Sequence, residues 1–364
     1  MARYLERTVL SLAIVGCALL AAEPPSESSV SSDRLVPRCD HVGLTKHPGW
    51  VVSAAWTADG NELLVVDNLS RQILRYTTGG RFRGTIPKSI GAALEQLSPS
   101  IIKQRGNELI LELARGRFIV LDQRYVPRDS SQIVQEEQDG IQSVFLWSPA
   151  GHDLVTFSDV RINQQWHWAF LRFPFASPKD FMELFQVAHE DTGFYRLGYP
   201  YITALGSTAY FLIVGKESIE LMRTTGAGVA QRLPLPGLRL GVRPRLPRFL
   251  VREDIAPLMK AVEASSMPAG IYGWEGFIYL LSREPSNDGT RWSLTKIDPI
   301  RGTFLGSAVL PTDANHLAVA PGPRYWAFLE KGPVIAFGDQ KLNRVLLIAS
   351  DKLRQPSLQG ALCD

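Results

Sequence analysis

Histidine is the side chain best suited to proton transfer or metal binding near neutral pH, and the sequence contains six of them. No two have the spacing of metal ligands on one strand or helix. GxSxG, HExxH, Walker and strand-associated GxGxxG motifs are also absent. His316, next to Asn315, is the best candidate, because an imidazole at the start of a strand could act as acid, base or ligand. The simpler alternative is a hydrogen-bonded structural histidine. The others are His41, His47, His152, His167 and His189.

Two further groups could bind a ligand without catalysis. Trp166 and Trp168 alternate along a predicted strand, so their rings could stack on a sugar or peptide, or pack in the core. The segment 234–269 carries repeated arginines, which could recognise an anionic group or remain solvated. The arginines that we take as candidate binding residues are Arg243, Arg245 and Arg248.

An internal repeat indicates which elements position these residues. A turn glycine precedes a short apolar run at six places, separated by 46, 45, 55, 70 and 46 residues. A period of about 40 to 50 residues is typical of propeller blades with four strands each. The glycines are Gly60, Gly106, Gly151, Gly206, Gly276 and Gly322.

The first repeat contains a complete blade, with predicted strands 51–56, 62–67, 72–77 and 81–86 joined by short turns. The sequence therefore predicts an all-β, six-bladed β-propeller over residues 50–350. A segment at 234–269 does not fit the repeat. It contains apolar residues at helical spacing and predicts a short helical insertion between blades four and five, which either packs on a blade edge or binds a partner.

One stretch of the first blade resembles a known family. Val66-Asp67-Asn68, followed by Arg71-Gln72-Ile73, Tyr76, Gly79-Gly80 and Phe82, is similar to the repeat of NHL-type six-bladed propellers. The other blades keep only the glycine and the strand pattern. The chain also resembles exported bacterial six-bladed propeller proteins of unassigned function, and both resemblances imply an architecture without a reaction.

A propeller places its site at the mouth of the central channel, where the inner strands converge. Topology alone therefore selects the candidates. Propeller lactonases and lyases that use calcium or zinc assemble acidic, amide or imidazole ligands there, and no such cluster is evident in this sequence. The candidate mouth residues are Trp50, Gln142, Tyr199, Tyr201, Tyr272, Asn315 and His316.

The N-terminus has the layout of a secretory signal peptide over residues 1–22. Arg3 and Arg7 precede an almost uncharged run that ends at Ala22, and this run is shorter than the roughly 20 residues that a spanning helix needs. Cleavage after Ala22 is one interpretation. Cys17 within a lipobox-like Ile14-Val15-Gly16-Cys17 is the other, and it would attach a lipid. We expect an exported protein that is periplasmic, attached to the outer membrane or secreted.

The two remaining cysteines lie near opposite ends of the mature chain. Cys39 lies within an entry segment predicted over residues 23–49, and Cys363 lies in a C-terminal tail over residues 351–364. Disulfides persist in the compartment that a signal peptide implies. We predict a disulfide that closes the ring, with two free thiols as the alternative.

Charge narrows the possible partners. The net charge of +3 supplies no field that would favour DNA, RNA or an anionic membrane. Without catalytic motifs, the sequence favours a noncatalytic, monomeric propeller that binds or scaffolds a protein, peptide or glycan in the cell envelope and needs no cofactor. The alternative is a hydrolase or lyase with calcium or zinc in its channel.

Overall fold

The computed structural model describes residues 39–86, 99–113, 116–133, 140–163, 165–187, 200–214, 219–226, 230–235, 266–286, 289–331, 342–360 and 362–363. Several sequence predictions lie outside these residues. They are the signal peptide with Cys17, the insertion helix, Tyr199, and the arginines Arg243, Arg245 and Arg248.

The chain folds into six antiparallel sheets of four strands each, which confirms the six-bladed propeller. The first five blades are formed by strands consecutive in sequence. Blade one contains β2 (Val51–Trp56), β3 (Glu62–Asp67), β4 (Gln72–Thr77) and β5 (Phe82–Thr85). Blade two contains β6 (Pro99–Arg105), β7 (Glu108–Leu113), β8 (Arg117–Leu121) and β9 (Pro127–Gln132). Blade three contains β10 (Gly140–Ala150), β11 (Asp153–Ile162), β12 (Gln165–Pro174) and β13 (Met182–Val187).

The second half of the ring continues the pattern. Blade four contains β14 (Tyr201–Leu205), β15 (Thr208–Val214), β16 (Ile219–Thr225) and β17 (Gln231–Leu233). Blade five contains β18 (Met267–Trp274), β19 (Phe277–Ser286), β20 (Gly289–Ile297) and β21 (Phe304–Leu310). Because β18 begins at Met267, the predicted insertion ends earlier than residue 269.

Blade six is assembled from both ends of the chain. It contains β22 (His316–Ala320), β23 (Tyr325–Lys331) and β24 (Leu342–Ala349), and its outermost strand is the N-terminal β1 (Cys39–Gly43). β1 pairs antiparallel with β24, with Cys39 opposite Ile348. The predicted entry segment therefore needs correction, because part of it is a blade strand. Hydrogen bonding of this strand covers an edge that would otherwise be exposed.

Neighbouring blades pack face to face and bury the apolar side chains between them. The central strands contact a blade on each side, so consecutive residues such as Leu63, Leu64, Val65 and Val66 are all buried. Leu63 and Val65 pack towards blade six, and Leu64 and Val66 pack towards blade two. This double burial explains why the strands are continuously apolar instead of alternating.

A hydrogen bond from a side chain to a neighbouring backbone crosses each of the six junctions between blades. Such bonds satisfy buried backbone groups and fix how each blade is oriented against the next. From the junction of blades six and one onwards, the donor and acceptor residues are Trp56 and Ala320, Ser53 and Ile102, Lys103 and Trp147, Arg172 and Ser207, Tyr201 and Pro268, and Trp292 and Ala314.

The C-terminal residues 350–363, here named the C-terminal strap, cover the junction of blades five and six. The strap begins with the short helix α1 (Ser350–Arg354), the one helix in the described part of the chain. Leu353, Leu358 and Leu362 of the strap are buried in the core between these blades. Cys363 forms a disulfide with Cys39 of β1, as predicted.

No helix within the described residues has both the length and the apolar character needed to cross a bilayer.

Candidate functional site

The channel mouth is formed at the end of the ring where the inner strands begin. β2, β6, β10, β14, β18 and β22 are the innermost strands of their sheets, and most of them contact the next inner strand. Antiparallel pairing places the start of each inner strand beside the end of the second strand; Val51, for example, lies opposite Asp67. The mouth therefore combines the first residues of the inner strands, the last residues of the second strands and the turns that follow.

A β-bulge recurs near the mouth in four of the blades. The pairing register shifts by one residue at Val52, Ser100, Gln142 and Ala269, each close to the start of its inner strand. Bulges of this kind redirect a side chain and are common beside functional sites. Gln142, a predicted mouth residue, occupies one of them and its side chain donates to the Gly140 carbonyl.

Asp67 fixes the rim of the mouth in blade one. Its carboxylate accepts hydrogen bonds from the backbone N–H groups of Gly49 (3.1 Å), Trp50 (2.8 Å) and Leu69 (3.1 Å), and from the Ser70 hydroxyl (2.7 Å). It is only 4% exposed. The acidic residue of the NHL-like motif thus ties the start of β2 to the turn after β3. The side chain of Leu69 lies over Gly49 and remains 59% exposed.

The structure brings two of the predicted mouth tyrosines together. The Tyr201 hydroxyl donates to the Pro268 carbonyl at 2.9 Å, across the junction of blades four and five. The ring of Tyr272 lies along its own strand, with its hydroxyl next to Gly270. Burial raises the pKa of Tyr272, and the neighbouring Tyr201 adds to the effect. The Tyr272 hydroxyl therefore stays protonated near neutral pH.

A buried acid and a buried amine lie between blades two and three. Glu112 accepts a hydrogen bond from Trp147 Nε1 at 2.7 Å. Burial raises the pKa of Glu112 to about 7, and the same cause lowers the pKa of Lys103 to about 8. Lys103 lies 5.3 Å from the Trp147 ring centre and donates to the Trp147 carbonyl. This group joins two blades, and its titration falls in the physiological range.

His316 lies at the start of β22, as expected, directly opposite Lys331 at the end of β23. Directly paired residues of an antiparallel sheet have Cβ atoms about 5 Å apart on the same face. Asn315 immediately precedes the strand. Burial lowers the pKa of Lys331 to about 8. The mouth of blade six therefore presents two basic side chains side by side.

The opposite face of blade six contains a separate charged network. Glu330, 4% exposed, accepts from His41 Nε2 at 3.0 Å and forms an ion pair with Arg344. Arg344 also contacts Asp313 at 3.0 Å. His41 belongs to β1, so this network attaches the N-terminal strand to the blade that it completes.

The described side chains do not fit a metal centre. Within the described residues, no three His, Cys, Asp or Glu side chains are grouped to hold an ion. Two carboxylates near the mouth are already engaged, Asp67 by four donors from blade one and the segment leading into it, and Glu112 by Trp147. Calcium and zinc sites need several such oxygen or nitrogen atoms turned to the ion.

Two tryptophans flank His167, and the structure describes the side chain of Trp168 but not that of Trp166. Trp168 is buried and packs edge-on against Phe157, with ring centres 5.7 Å apart, which supports the core interpretation for this residue. The side chain of Trp166 lies outside the description. His167 contacts Glu183 at 2.9 Å on the neighbouring strand.

Sequence reasoning missed Leu69, Lys331, Glu112 and Lys103. Leu69 follows directly after the recognised Asp67-Asn68 turn, so its position at the rim was available from that motif. The remaining missed residues could have been found as charged residues that end or interrupt an apolar strand, as Lys331 and Glu112 do. Their partners, however, depend on strand register and on packing between blades.

Comparisons with known proteins agree with the architecture. No family model matches the sequence, and no curated protein matches it. A member of the DUF4221 family from Bacteroides vulgatus has a TM-score of 0.54 and 9% sequence identity, over 86% of this chain and 96% of that chain. A gluconolactonase from Xanthomonas campestris has a TM-score of 0.49 and 12% identity, over 90% and 99% of the two chains.

A third structure, the calcium-binding protein regucalcin from Agrobacterium tumefaciens, has a TM-score of 0.47 and 12% identity over 85% of this chain and 93% of that chain. At such identities a structural likeness carries neither an activity nor a ligand to this protein. What the likeness to the DUF4221 structure shows is the fold: the chain is a six-bladed β-propeller.

Proposed function

We propose that this protein is an exported, noncatalytic propeller that holds a protein, peptide or glycan ligand at its channel mouth in the cell envelope. It acts as a monomer, without a cofactor. It is periplasmic, attached to the outer membrane or secreted.

The observation that carries the proposal is the preorganised rim of blade one. Asp67 holds both the start of β2, which follows Trp50, and the turn that carries the exposed Leu69. Aromatic and aliphatic side chains on a rigid backbone bind with little loss of conformational entropy. Trp and exposed apolar groups at the centre of a polar surface are typical anchors of a binding site. The hydrogen bonds between blades supply the rigid support.

The disulfide supports the export part of the proposal. Cys39 and Cys363 join the two ends of the ring. Structural disulfides of this kind are common in exported proteins and rare in reducing compartments. The N-terminal pattern of Arg3, Arg7 and an apolar run is consistent with the same compartment.

The test compares binding by the wild-type chain and a mouth variant. The immobilised mature protein is incubated with a cell-envelope extract, and the affinity of each captured species is then measured individually. We expect Trp50→Ala combined with Leu69→Ser to weaken the affinity on the order of tenfold or more, because both anchors are removed. Peptides and glycans released from the same extract are tested separately.

The matched control is Ile300→Ser, which removes another exposed apolar side chain, 71% exposed, from the turn before β21 at the opposite end of a blade. This variant should bind as the wild type does. Equal affinity of the mouth variant and the wild type would contradict the proposal. Turnover of a lactone, together with about one retained Ca²⁺ or Zn²⁺ per chain, would favour the metal-dependent alternative.

A further inference from the structure

The basic pair at the mouth of blade six lies on the face turned towards blade one. Lys331 shares its face with Leu329, two residues earlier in the strand. Leu329 packs in the same cluster as Val51 and Val65 of blade one. His316 is paired directly with Lys331 and therefore projects to the same side. Both side chains lie at the junction of blades six and one, where it opens into the mouth.

Lys331 lacks an acidic partner within the described part of the chain. Burial is the one cause that shifts its pKa, and no described carboxylate contributes to the shift. Glu330 lies on the other face of the sheet, engaged by His41 and Arg344. Asp67 is the acidic residue on the facing side of blade one. The four hydrogen bonds that its carboxylate accepts come from blade one and the segment leading into it.

A partly buried ammonium without a counter-charge is unfavourable, because it has lost water without gaining an ion pair. Two states relieve the cost: loss of the proton, or binding of an anion from outside. The imidazole of His316, whose Nε2 is buried, can contribute an N–H donor beside the ammonium when the ring nitrogen on that side carries a proton. An ammonium and a ring N–H about one strand spacing apart match the two oxygens of a carboxylate.

We propose that His316 and Lys331 form an oxyanion site that binds a carboxylate group of the ligand at the channel mouth. This inference rests on the proposed binding function and specifies the chemistry of its ligand. The site carries at most one positive charge from Lys331, so a singly charged carboxylate suits it better than a doubly charged phosphate. The junction of blades six and one therefore recognises the negative charge of the ligand, whereas Trp50 and Leu69 contact its apolar part.

The test measures binding of small anions to the full mature protein by calorimetry at pH 7. Glucuronate and acetate are the carboxylate probes, inorganic phosphate is the competing anion class, and glucose is the uncharged control. We expect saturable binding of the carboxylates, weaker binding of phosphate and none of glucose. Binding should weaken as pH rises well above the pKa of Lys331, because the ammonium loses its proton.

Lys331→Met is the informative variant, since it keeps the volume and removes the charge. Carboxylate affinity should fall on the order of tenfold or more, as expected for loss of a charged hydrogen bond. Lys179→Met removes a lysine from the turn between β12 and β13, outside the mouth, and should leave the affinity unchanged. His316→Gln tests the second donor and should weaken binding less.

Thermal unfolding gives an independent readout. Glucuronate should raise the Tm of the wild type, because a ligand that binds the folded state stabilises it, and should leave the Tm of Lys331→Met unchanged. Without ligand, Lys331→Met should be at least as stable as the wild type. Absence of carboxylate binding, or equal binding by Lys331→Met, overturns the oxyanion site. If the oxyanion site is overturned, the proposed binding function at the channel mouth is still supported when the Trp50→Ala, Leu69→Ser variant loses affinity for the envelope ligand.

Discussion

At the scale of single residues, Asp67 is the side chain on which the rim depends. Its four hydrogen bonds join two neighbouring segments of the blade-one rim, the start of β2 and the turn after β3. In Asp67→Ala, several N–H groups near the protein interior lose their acceptor. We expect the free energy of unfolding to fall by about 3 kcal/mol, the upper part of the range for hydrogen bonds to a charged group. Urea titration of the mature protein measures this.

The control for Asp67 is Asp59, which also accepts local hydrogen bonds in a turn. Asp59 binds the Thr57 hydroxyl and the Asn61 backbone, and these contacts are exposed. Asp59→Ala should therefore cost about 1 kcal/mol or less. Similar losses for the two variants would show that the Asp67 carboxylate does not organise the rim.

Glu112 and Lys103 should make stability depend on pH. Burial raises the pKa of Glu112 to about 7, so its contribution is fully present below its unfolded value near 4.5 and is lost as pH rises towards 7. Burial lowers the pKa of Lys103 to about 8, so its contribution is present above 10.5 and is lost as pH falls through 8. Both groups are charged in the folded protein between pH 7 and 8. The pair therefore contributes least to the free energy of unfolding in this pH range.

Glu112→Gln tests this dependence, because the amide oxygen can still accept from Trp147. A series of Tm values from pH 4.5 to 8 should show the wild type losing stability relative to the variant as pH rises to 7. The difference should level off about one pH unit above the pKa of Glu112, where the carboxyl group is almost fully ionised. Parallel curves across the whole range would contradict the assignment of the titration to Glu112.

Of the two residues in the proposed oxyanion site, the sequence predicts His316 but not Lys331. His316 and Asn315 could be placed at the mouth because the repeat identifies where an inner strand begins. Lys331 could not be paired with His316, because the loop between β22 and β23 does not fix the register. Gln142 was placed at the right end of blade three, but its bulge arises from a mismatch in pairing that local propensities do not encode.

At the scale of elements, the C-terminal strap depends on a glycine in blade five. Gly306 has φ of +121°, and its backbone bridges to Leu358 of the strap. A Cβ at Gly306 would lie 1.9 Å from the Leu358 carbonyl oxygen. Gly306→Ala should therefore displace the strap locally. We expect faster amide hydrogen exchange at Leu358 and Leu362 than in the wild type, measured by exchange and mass spectrometry of peptides from the strap.

Blade one supplies a matched control for this variant. Gly84 lies at the corresponding bulge of β5, with φ of +123°, and a Cβ at this position would meet nothing within 4 Å beyond its neighbours in the chain. Gly84→Ala thus introduces the same backbone strain without the steric clash. If both variants accelerate exchange in the strap equally, the contact with Leu358 is not what holds it.

Prediction of the elements succeeded where the strands repeat and failed where the chain leaves the repeat. The first three strands of blade one begin and end at the residues expected from the pattern. β1 has no turn glycine or apolar run of its own, and its structure depends on pairing with β24, near the other end of the chain. The strap is likewise fixed from outside, since the Lys296 ammonium donates to the carbonyls of Leu353 (3.0 Å) and Gln355 (2.6 Å).

At the scale of the whole molecule, the ring closes through three kinds of contact. β1 supplies the backbone pairing, Glu330 holds β1 through His41, and the disulfide ties β1 to the strap. The predicted disulfide is thus one layer of a closure whose other layers were not evident in the sequence. A propeller opened at this seam would expose the edge of β24 and part of the core between blades five and six.

The disulfide should accordingly set the stability of the ring without being needed to form it. Its sequence separation is 324 residues, and closing a loop of that length restricts the unfolded chain by an amount worth about 6 kcal/mol in the entropy model. Urea unfolding of the mature protein with and without reductant should differ by an amount of this order. The reduced protein should still be folded in buffer, because β1 remains paired. The Cys39→Ala, Cys363→Ala double variant should have the same free energy of unfolding as the reduced wild type, and reductant should not change that value. A reductant-insensitive wild type would show that the covalent link contributes nothing beyond the strand.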